Sequence, residues 1–222
     1  MPDLIYTSGM SKFLALNISI SEDGFTSGIQ QTLNNPMGEG AMALHQWVFP
    51  TKAFSEWQGK DGGETGIDND FVARGFTNIG ANIMGRNMFG PNRGEWLNDW
   101  KGWWGDSPLF QHPVYILTHY PRESIDMGNG TIFHFITEGI ERACELALES
   151  ANGQDIRVGG GANTLQQFLS AGILDELHLA YVPVILGNGD KLFNNPESQL
   201  QNYRAIEPVI TKKVRHQTYL KI

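Results

Sequence analysis

The sequence has only one cysteine, Cys144, among its 222 residues. A single thiol excludes a disulfide bond within the chain, and we therefore expect a cytoplasmic protein. No segment approaches the run of about 20 apolar residues that a membrane-spanning helix needs. The first residues also lack the basic start and apolar stretch of a secretory signal. We expect neither a membrane segment nor export.

Basic residues are also scarce, since 16 Lys and Arg stand against 24 Asp and Glu, for a formal net charge of −8. Without a basic run the chain is a poor candidate for nucleic-acid binding, although a few local donors suffice for a small anionic ligand. The six histidines are scattered, and no His-x-x-x-His or Cys-x-x-Cys spacing occurs. We therefore expect no metal site.

The chain has the length and the apolar content, 41% of residues, of one α/β domain spanning 1–222. Strand patterns alternate with helix patterns through its middle, which predicts a mostly parallel sheet with an antiparallel C-terminal hairpin. Two long loops are expected at about 29–68, with a mobile part at 58–66, and at 90–113. The predicted strands are 13–20, 81–86, 114–118, 131–135, 176–186 with an interruption at Pro183, 204–210 and 214–222. The predicted helices are 70–77 and 138–150.

The clearest functional signal lies at 155–164, where an alternating apolar pattern runs into three glycines and then into a helix pattern. This order is typical of a strand, a turn without side chains and a helix N-terminus. Backbone N–H groups in such a turn attract a phosphate, and the helix start adds partial positive charge. Because glycine clusters also form ordinary turns, the segment alone leaves both interpretations open.

Two other pairs, Gly85-Arg86 and Thr118-His119, also follow predicted strands. Ligands of open parallel sheets bind beyond the carboxyl ends of the strands. The coincidence of three such segments at one edge favours the phosphate interpretation.

These segments resemble a known family. Ile-Met-Gly-Arg at 83–86, Tyr-Ile-Leu-Thr at 115–118 and Val-Gly-Gly-Gly at 158–161 stand in the order of the dihydrofolate reductase fold. The stretches 165–179 and 183–189 are similar to the C-terminal signature of the riboflavin-biosynthesis reductase domain and its stand-alone relatives. The Ser-Glu-Asp-Gly turn at 21–24 resembles their Ser-x-Asp-Gly, and the resemblance covers about residues 12–222.

The resemblance implies a three-layer α/β/α domain with an eight-stranded central sheet, NADPH as hydride donor and, often, a homodimer. The glycines at 159–161 would hold the diphosphate, and Arg86 suits a phosphate because its planar fork donates twice. The cofactor-binding residues it implies are Ala15, Gly24, Gly85, Arg86, Asn87, Thr118, His119, Arg122, Val158, Gly159, Gly160, Gly161, Ala162, Asn163 and Thr164.

The sequence offers several candidates for the catalytic acid. Hydride transfer leaves the acceptor atom in need of a proton, from a carboxyl group or a water. Asp23 is one candidate, or else a turn residue whose carboxylate accepts backbone bonds. In the folate enzyme a carboxylate precedes the Ile-Met-Gly-Arg strand; ungapped counting places Asn69 there, so Asp70 or Asp68 takes the role, or both cap a helix.

Aromatic residues at 45–49 are candidates for the substrate side. His45, Trp47 and Phe49 could stack on a flat heterocycle, or they could anchor the loop to the core.

The sequence therefore predicts an NADPH-dependent reductase of a small planar or carbonyl-like compound. No deaminase signature of the bifunctional riboflavin enzyme is present. A genuine dihydrofolate reductase and a catalytically silent NADPH-binding protein are the alternatives.

Overall fold

A computed structural model describes residues 11–91, 93–96 and 99–222 of the chain. The N-terminal segment 1–10, in which the sequence gives no secretory signal, lies outside the described residues. Within the described ranges no helix has the length and apolar character needed to cross a membrane.

The strands are β1 Phe13–Ser21, β2 Phe25–Ser27, β3 Ile79–Gly85, β4 Pro113–Leu117, β5 Ile125–Asp126, β6 Ile132–Ile136, β7 Asp155–Gly160, β8 Glu176–Val182, β9 Asp190–Lys191, β10 Tyr203–Ala205, β11 Val209–Ile210 and β12 Arg215–Lys221. The helices are α1 Lys52–Trp57, α2 Ile67–Arg74, α3 Arg86–Phe89, α4 Ile140–Ser150, α5 Ala162–Ser170 and α6 Pro196–Gln199, and a 3-10 helix spans Ala41–His45.

The predicted α/β class and the mostly parallel sheet are confirmed. The main sheet runs in the order β10-β12-β8-β1-β7-β3-β4-β6-β5, with β11 also paired to β12. The strands from β8 to β6 in this order are parallel neighbours, and β12 pairs antiparallel with β8, β10 and β11. The sheet has ten strands rather than the implied eight, because short strands extend both edges.

Helices cover both faces of this sheet. On one face Ala15 and Val158 pack under α4 and α5 in the largest apolar cluster. On the other face the 41–57 region and α2 cover β8, while the loop after α3 covers β3, β4 and β6. Trp96, Trp100 and Trp104 belong to that covering layer, packed beside Phe89. The tryptophan-rich loop therefore closes the core of its own chain.

The predicted start of one helix was wrong. The helix predicted at 70–77 is α2, which begins at Ile67 behind Gly66, so Asp68 and Asp70 lie inside its first turn and do not cap it. The strand predicted over 176–186 with an interruption at Pro183 ends at Val182, one residue before that proline, whose ring has no N–H to donate, so the predicted interruption is confirmed.

The region 29–68 was also predicted to be irregular throughout. It contains the 3-10 helix and α1 instead, and Glu64 bridges to Thr51 beside α1. The side chain of Thr51 caps α1 by accepting a bond from the amide of Phe54. The mobility expected at 58–66 stays a prediction.

Candidate functional site

The ends of β3 and β7 meet, as the glycine pattern indicates. A Cβ added to Gly85 would lie 2.6 Å from the Oγ1 atom of Thr164 and 3.7 Å from the amide nitrogen of Gly161. Only glycine leaves room for this approach. Two segments more than seventy residues apart in sequence thus form one continuous turn surface.

The last glycine of the turn borders open space. Gly161 precedes α5, has a φ of −72°, and a Cβ placed on it would meet no heavy atom within 4 Å. Gly160 has a φ of +112°, which disfavours any side chain. The first backbone N–H groups of α5, a helix of nine residues, lie at its N-terminal end beside this turn, where negative charge is favoured. The turn and the start of α5 therefore have the geometry of an anion-binding site.

Two guanidinium groups flank a tryptophan beside this turn. The Cζ atom of Arg86 lies 3.8 Å from the ring centroid of Trp96, and that of Arg122 lies 4.9 Å from it. Among the described residues no carboxylate forms an ion pair with either arginine. Nε and Nη1 of Arg86, and Nη1 of Arg122, are buried without a hydrogen-bond partner. Burial lowers the pKa of both groups. For Arg86, Tyr120 opposes this effect while the charges of Arg93 and Arg122 add to it, and for Arg122 the charge of Asp99 opposes it.

The end of β4 completes this edge. The amide of Tyr120 donates to the Thr118 hydroxyl, and Trp96 donates from Nε1 to the Tyr120 carbonyl at 2.8 Å. The Tyr120 ring lies 5.1 Å from the Cζ atom of Arg86. His119 is exposed beside it. The β4 end and the tryptophan loop therefore hold Arg86 in place.

The other implied cofactor residues differ in how accessible their side chains are. Ala15 and Val158 are fully buried under the α4 and α5 face, so their side chains cannot reach a ligand at the turn. Asn163 accepts a hydrogen bond from Gln167 on the surface of α5, and Asn87 is exposed on α3. Ala162 is buried in the first turn of α5.

The turn at 21–24 is held by its acid. The carboxylate of Asp23 accepts bonds from the amides of Leu186 and Gly187 at 3.1 and 2.7 Å, and Gly24 has a φ of +91°. Hydrogen bonding from Ser21, followed by these amides, lowers the pKa of Asp23 despite some desolvation. Asp23 is therefore a turn residue whose carboxylate accepts backbone bonds, as in the second of its two predicted roles, and its role as a proton donor stays a prediction.

Trp47 does not offer a free face to a substrate. It is 1% exposed, donates from Nε1 to the Ser19 hydroxyl at 2.9 Å, and meets His216 edge-on. The alternative of a loop anchored to the core is the correct one for this residue. His45 and Phe49 stack on each other with centroids 6.1 Å apart, and burial lowers the pKa of His45.

A buried pair of histidines, which no sequence pattern predicts, lies behind Trp47. The Asn17 amide donates to Nδ1 of His178, Nε2 of His178 lies 3.1 Å from Nδ1 of His216, and Nε2 of His216 lies 3.0 Å from a carboxylate oxygen of Asp68. Because the amide fixes Nδ1 of His178 as an acceptor, each neutral ring donates from Nε2 toward Asp68. Phe71 stacks on both rings.

Burial has the largest effect on the pKa values of these two histidines. It lowers the pKa of His178 to about 3 and also lowers that of His216, although the Asp68 carboxylate works in the opposite direction there. The histidines lie on β8 and β12, and only the antiparallel register between those strands brings them together. No sequence spacing reveals that register.

The acids of α2 differ in position. Asp68 reaches His216 and lines a cavity of about 280 Å³ together with Thr51, Glu64, Asn69 and Lys213. Asp70 is exposed, and its closest polar contact is Asn69 at 3.5 Å. The acid predicted at position 70 therefore faces solvent, and Asp68 occupies the more enclosed position.

Comparison with known proteins decides the family. The sequence profile of the RibD C-terminal domain matches residues 12–219. The chain belongs to this family. Membership supports a reductase-like function. Two uncharacterised Bacillus subtilis proteins, YwjB and YyaP, are 37% and 32% identical over 60 and 73 residues, which is 27% and 31% of this chain. The matches span 34% and 39% of those relatives, so about a third of their length is compared.

Solved structures share the fold. A Shewanella protein assigned to riboflavin biosynthesis superposes with a TM-score of 0.56 at 19% identity, covering 96% of this chain and 99% of its own. Acinetobacter baumannii RibD gives 0.54 at 14% identity, covering 97% of this chain and 59% of its own. Enterococcus faecalis dihydrofolate reductase, solved with NADP(H), gives 0.50 at 14% identity, covering 98% and 99%. These likenesses confirm the dihydrofolate reductase-like fold.

Proposed function

We propose that this protein is an NADPH-dependent reductase of a small planar heterocyclic or carbonyl-like compound. The observation that carries the proposal is an open glycine turn next to two arginines that form no ion pair within the described part of the chain. Unpaired buried donors are costly, and an anionic group that accepts from them removes that cost.

Residues at the glycine turn and beside it would bind the phosphate groups of NADPH. The backbone amides of residues 159–164, which include the first turn of α5, would bind the diphosphate. Gly85 lets β3 approach it closely. Arg86 and Arg122 would bind phosphate oxygens, with Thr118 and His119 beside them. When bound, NADPH supplies a hydride to an electrophilic carbon of the substrate.

Asp68 is the acid that best suits the proton transfer. One of its oxygens accepts from His216, which holds the carboxylate in place, and the group borders a cavity large enough for substrate or ordered water. Asp23 is fixed in its turn and Asp70 is exposed, so neither shares this position.

The proposal is tested first on binding and then on turnover. Calorimetry should show NADPH and NADP⁺ binding to the wild-type protein, and absence of heat at millimolar ligand would overturn it. NADPH oxidation is then followed against dihydrofolate, the riboflavin-pathway aminopyrimidine and simple carbonyl or nitro compounds. Turnover of dihydrofolate with antifolate inhibition would instead identify a folate enzyme, and binding without any turnover would identify a silent binding protein.

Asp68→Asn and Asp70→Asn form a matched pair on one helix. We expect Asp68→Asn to lower kcat by roughly a hundredfold or more, a typical contribution of a positioned acid or base. Asp70→Asn removes the same charge at an exposed site and should leave kcat within about twofold. Equal effects, or a larger effect at Asp70, would remove Asp68 from the mechanism. The homodimer implied by the resemblance is a further proposal, which sedimentation would test.

A further inference from the structure

A second cavity lies on the face of the sheet that α1 and α2 cover, away from the glycine turn. It encloses about 200 Å³ between the end of α1, the end of α2 and the residues that precede β4. Its lining includes Trp57, Phe76, Phe110, Asn82, His112 and Arg157. None of these residues belongs to the proposed cofactor or proton-transfer sites.

The polar residues of this cavity sit where the fold calls for apolar ones. Asn82 of β3 and Arg157 of β7 are partners in the parallel register, so their side chains share one face at the centre of the sheet. Central parallel strands covered on both faces are normally almost entirely apolar. The Nδ2 atom of Asn82 lies 3.0 Å from Nε2 of His112, which adds a third polar group to the cluster.

Arg157 brings an uncompensated positive charge into this cavity. Its Nη1 donates to the Gly75 carbonyl at 3.2 Å, while Nε is buried without a partner. Within the described part of the chain no carboxylate forms an ion pair with it. Burial lowers the pKa of Arg157 to about 10, so the group remains charged at neutral pH.

The neighbouring histidine does not balance or share that charge. Burial and the charge of Arg157 lower the pKa of His112 to about 4, so the ring is neutral above that pH. The Oδ1 atom of Asn82 also lacks a partner. The cavity thus carries a net single positive charge, which favours an anionic occupant.

Aromatic side chains form the remaining walls. Trp57 stacks on Phe76 with centroids 5.1 Å apart and meets Phe110 edge-on at 6.2 Å. The Cζ atom of Arg157 lies 5.4 Å from the Phe76 ring. An engineered apolar cavity of about 150 Å³ binds benzene, so this volume admits a molecule with a single ring.

We propose that this cavity is a binding site for a small monocyclic aromatic carboxylate, with the carboxylate on Arg157 and the ring between Trp57, Phe76 and Phe110. Met84, the next residue on the same face of β3 toward the glycine turn, is 1% exposed and does not line the cavity. The site is therefore separate from the one proposed for NADPH, and it does not depend on that proposal.

Benzoate is the probe, titrated by calorimetry into the full chain with and without saturating NADPH. We expect benzoate to bind at least tenfold more tightly than benzamide, which lacks the charge, and than acetate, which lacks the ring. Binding should persist in the presence of NADPH. Equal affinity for benzamide or acetate, displacement by NADPH, or no benzoate heat at tens of millimolar would each overturn the proposal.

Arg157→Met locates the charge that binds. It should weaken benzoate roughly ten- to a hundredfold, as expected for loss of a hydrogen bond to a charged group. Arg142→Met is the matched control, because Arg142 forms a surface pair with Glu145 on α4 and its loss changes the net charge equally. Unchanged benzoate affinity in a folded Arg157→Met protein would contradict the assignment. If that variant does not fold, the comparison of benzoate, benzamide and acetate on the wild type still decides.

Discussion

Charge is arranged differently on the two sides of β1. Toward β7, β3 and β4 the guanidinium groups of Arg86, Arg122 and Arg157 lack carboxylate partners among the described residues. Toward β8 and β12 the buried carboxylate of Glu176 forms a two-bond pair with Arg74, and Asp68 accepts from His216.

We propose that the paired groups stabilise the fold and that the unpaired guanidinium groups bind anionic ligands. A buried network in which each member has its partner rigidifies the structure around it. A buried cation without a partner costs free energy that an anion can recover. The predictions below test this distinction, beginning with the side that lacks partners.

Gly161→Ala should have the largest effect that leaves the free protein unstrained. The backbone there has an ordinary negative φ and an added methyl meets nothing within 4 Å, so the free protein should fold normally. If the diphosphate occupies that space, NADPH binding should weaken on the order of a hundredfold, or about 3 kcal/mol. Calorimetry and thermal unfolding are measured together. Full affinity in the variant would place the diphosphate elsewhere.

Gly160→Val is also expected to abolish NADPH binding, but it is a less direct test. Gly160 has a φ of +112°, so valine strains the backbone of the free protein as well. Its result therefore counts only if the melting temperature shows that the variant remains folded.

Arg86→Ala should weaken NADPH by roughly tenfold more than NADH, because the lost partner binds the additional phosphate. Fluorescence titration of both nucleotides measures the ratio. Arg93→Ala is the control, since Arg93 donates to the Gly90 and Pro91 carbonyls and to Gln31. Equal losses for the two nucleotides would show that Arg86 does not read that phosphate.

Arg74→Met tests the paired side. It should leave cofactor affinity unchanged but lower the free energy of unfolding by about 1–2 kcal/mol, because it leaves the Glu176 carboxylate buried and unpaired. The figure is below that of a fully buried pair because the Arg74 side chain is 47% exposed. Urea unfolding measures it. Lost cofactor affinity would break the distinction between the two sides.

The pH dependence of stability should be the smallest effect. The pKa values of His178 and His112 in the folded protein, about 3 and about 4, lie below the ordinary 6.5. The unfolded state therefore binds more protons, and stability is full above about pH 6.5 and falls as the pH drops below it.

Each of these two histidines should contribute a loss on the order of 1 kcal/mol or less between about pH 7 and pH 6. Urea unfolding at the two pH values measures the sum, and His112→Gln should remove one share. A free energy of unfolding that does not change over this interval would contradict neutral burial of both rings.

The two sides also differ in how well the sequence predicts them. The glycine turn, the position of Arg86 after β3 and the parallel order of strands follow from local patterns and from the resemblance. The sequence left Asp70 and Asp68 open as alternatives, and it placed the start of α2 too late because Gly66 gives no side-chain cap to mark it. The sequence left two roles open for Trp47, stacking on a substrate or anchoring its loop to the core, because an irregular segment has no periodic pattern that indicates which side chains are buried.

The sequence by itself determined where chain direction reverses and which segments bear backbone donors, because glycine spacing and apolar alternation are local properties. Tertiary structure decided which polar side chains acquire partners. His178 meets His216 only through the antiparallel register of β8 with β12, and Asn82 meets Arg157 only through the parallel register of β3 with β7. Pairing across strands depends on contacts between residues far apart in the chain, and the order of residues within one segment does not reveal those contacts.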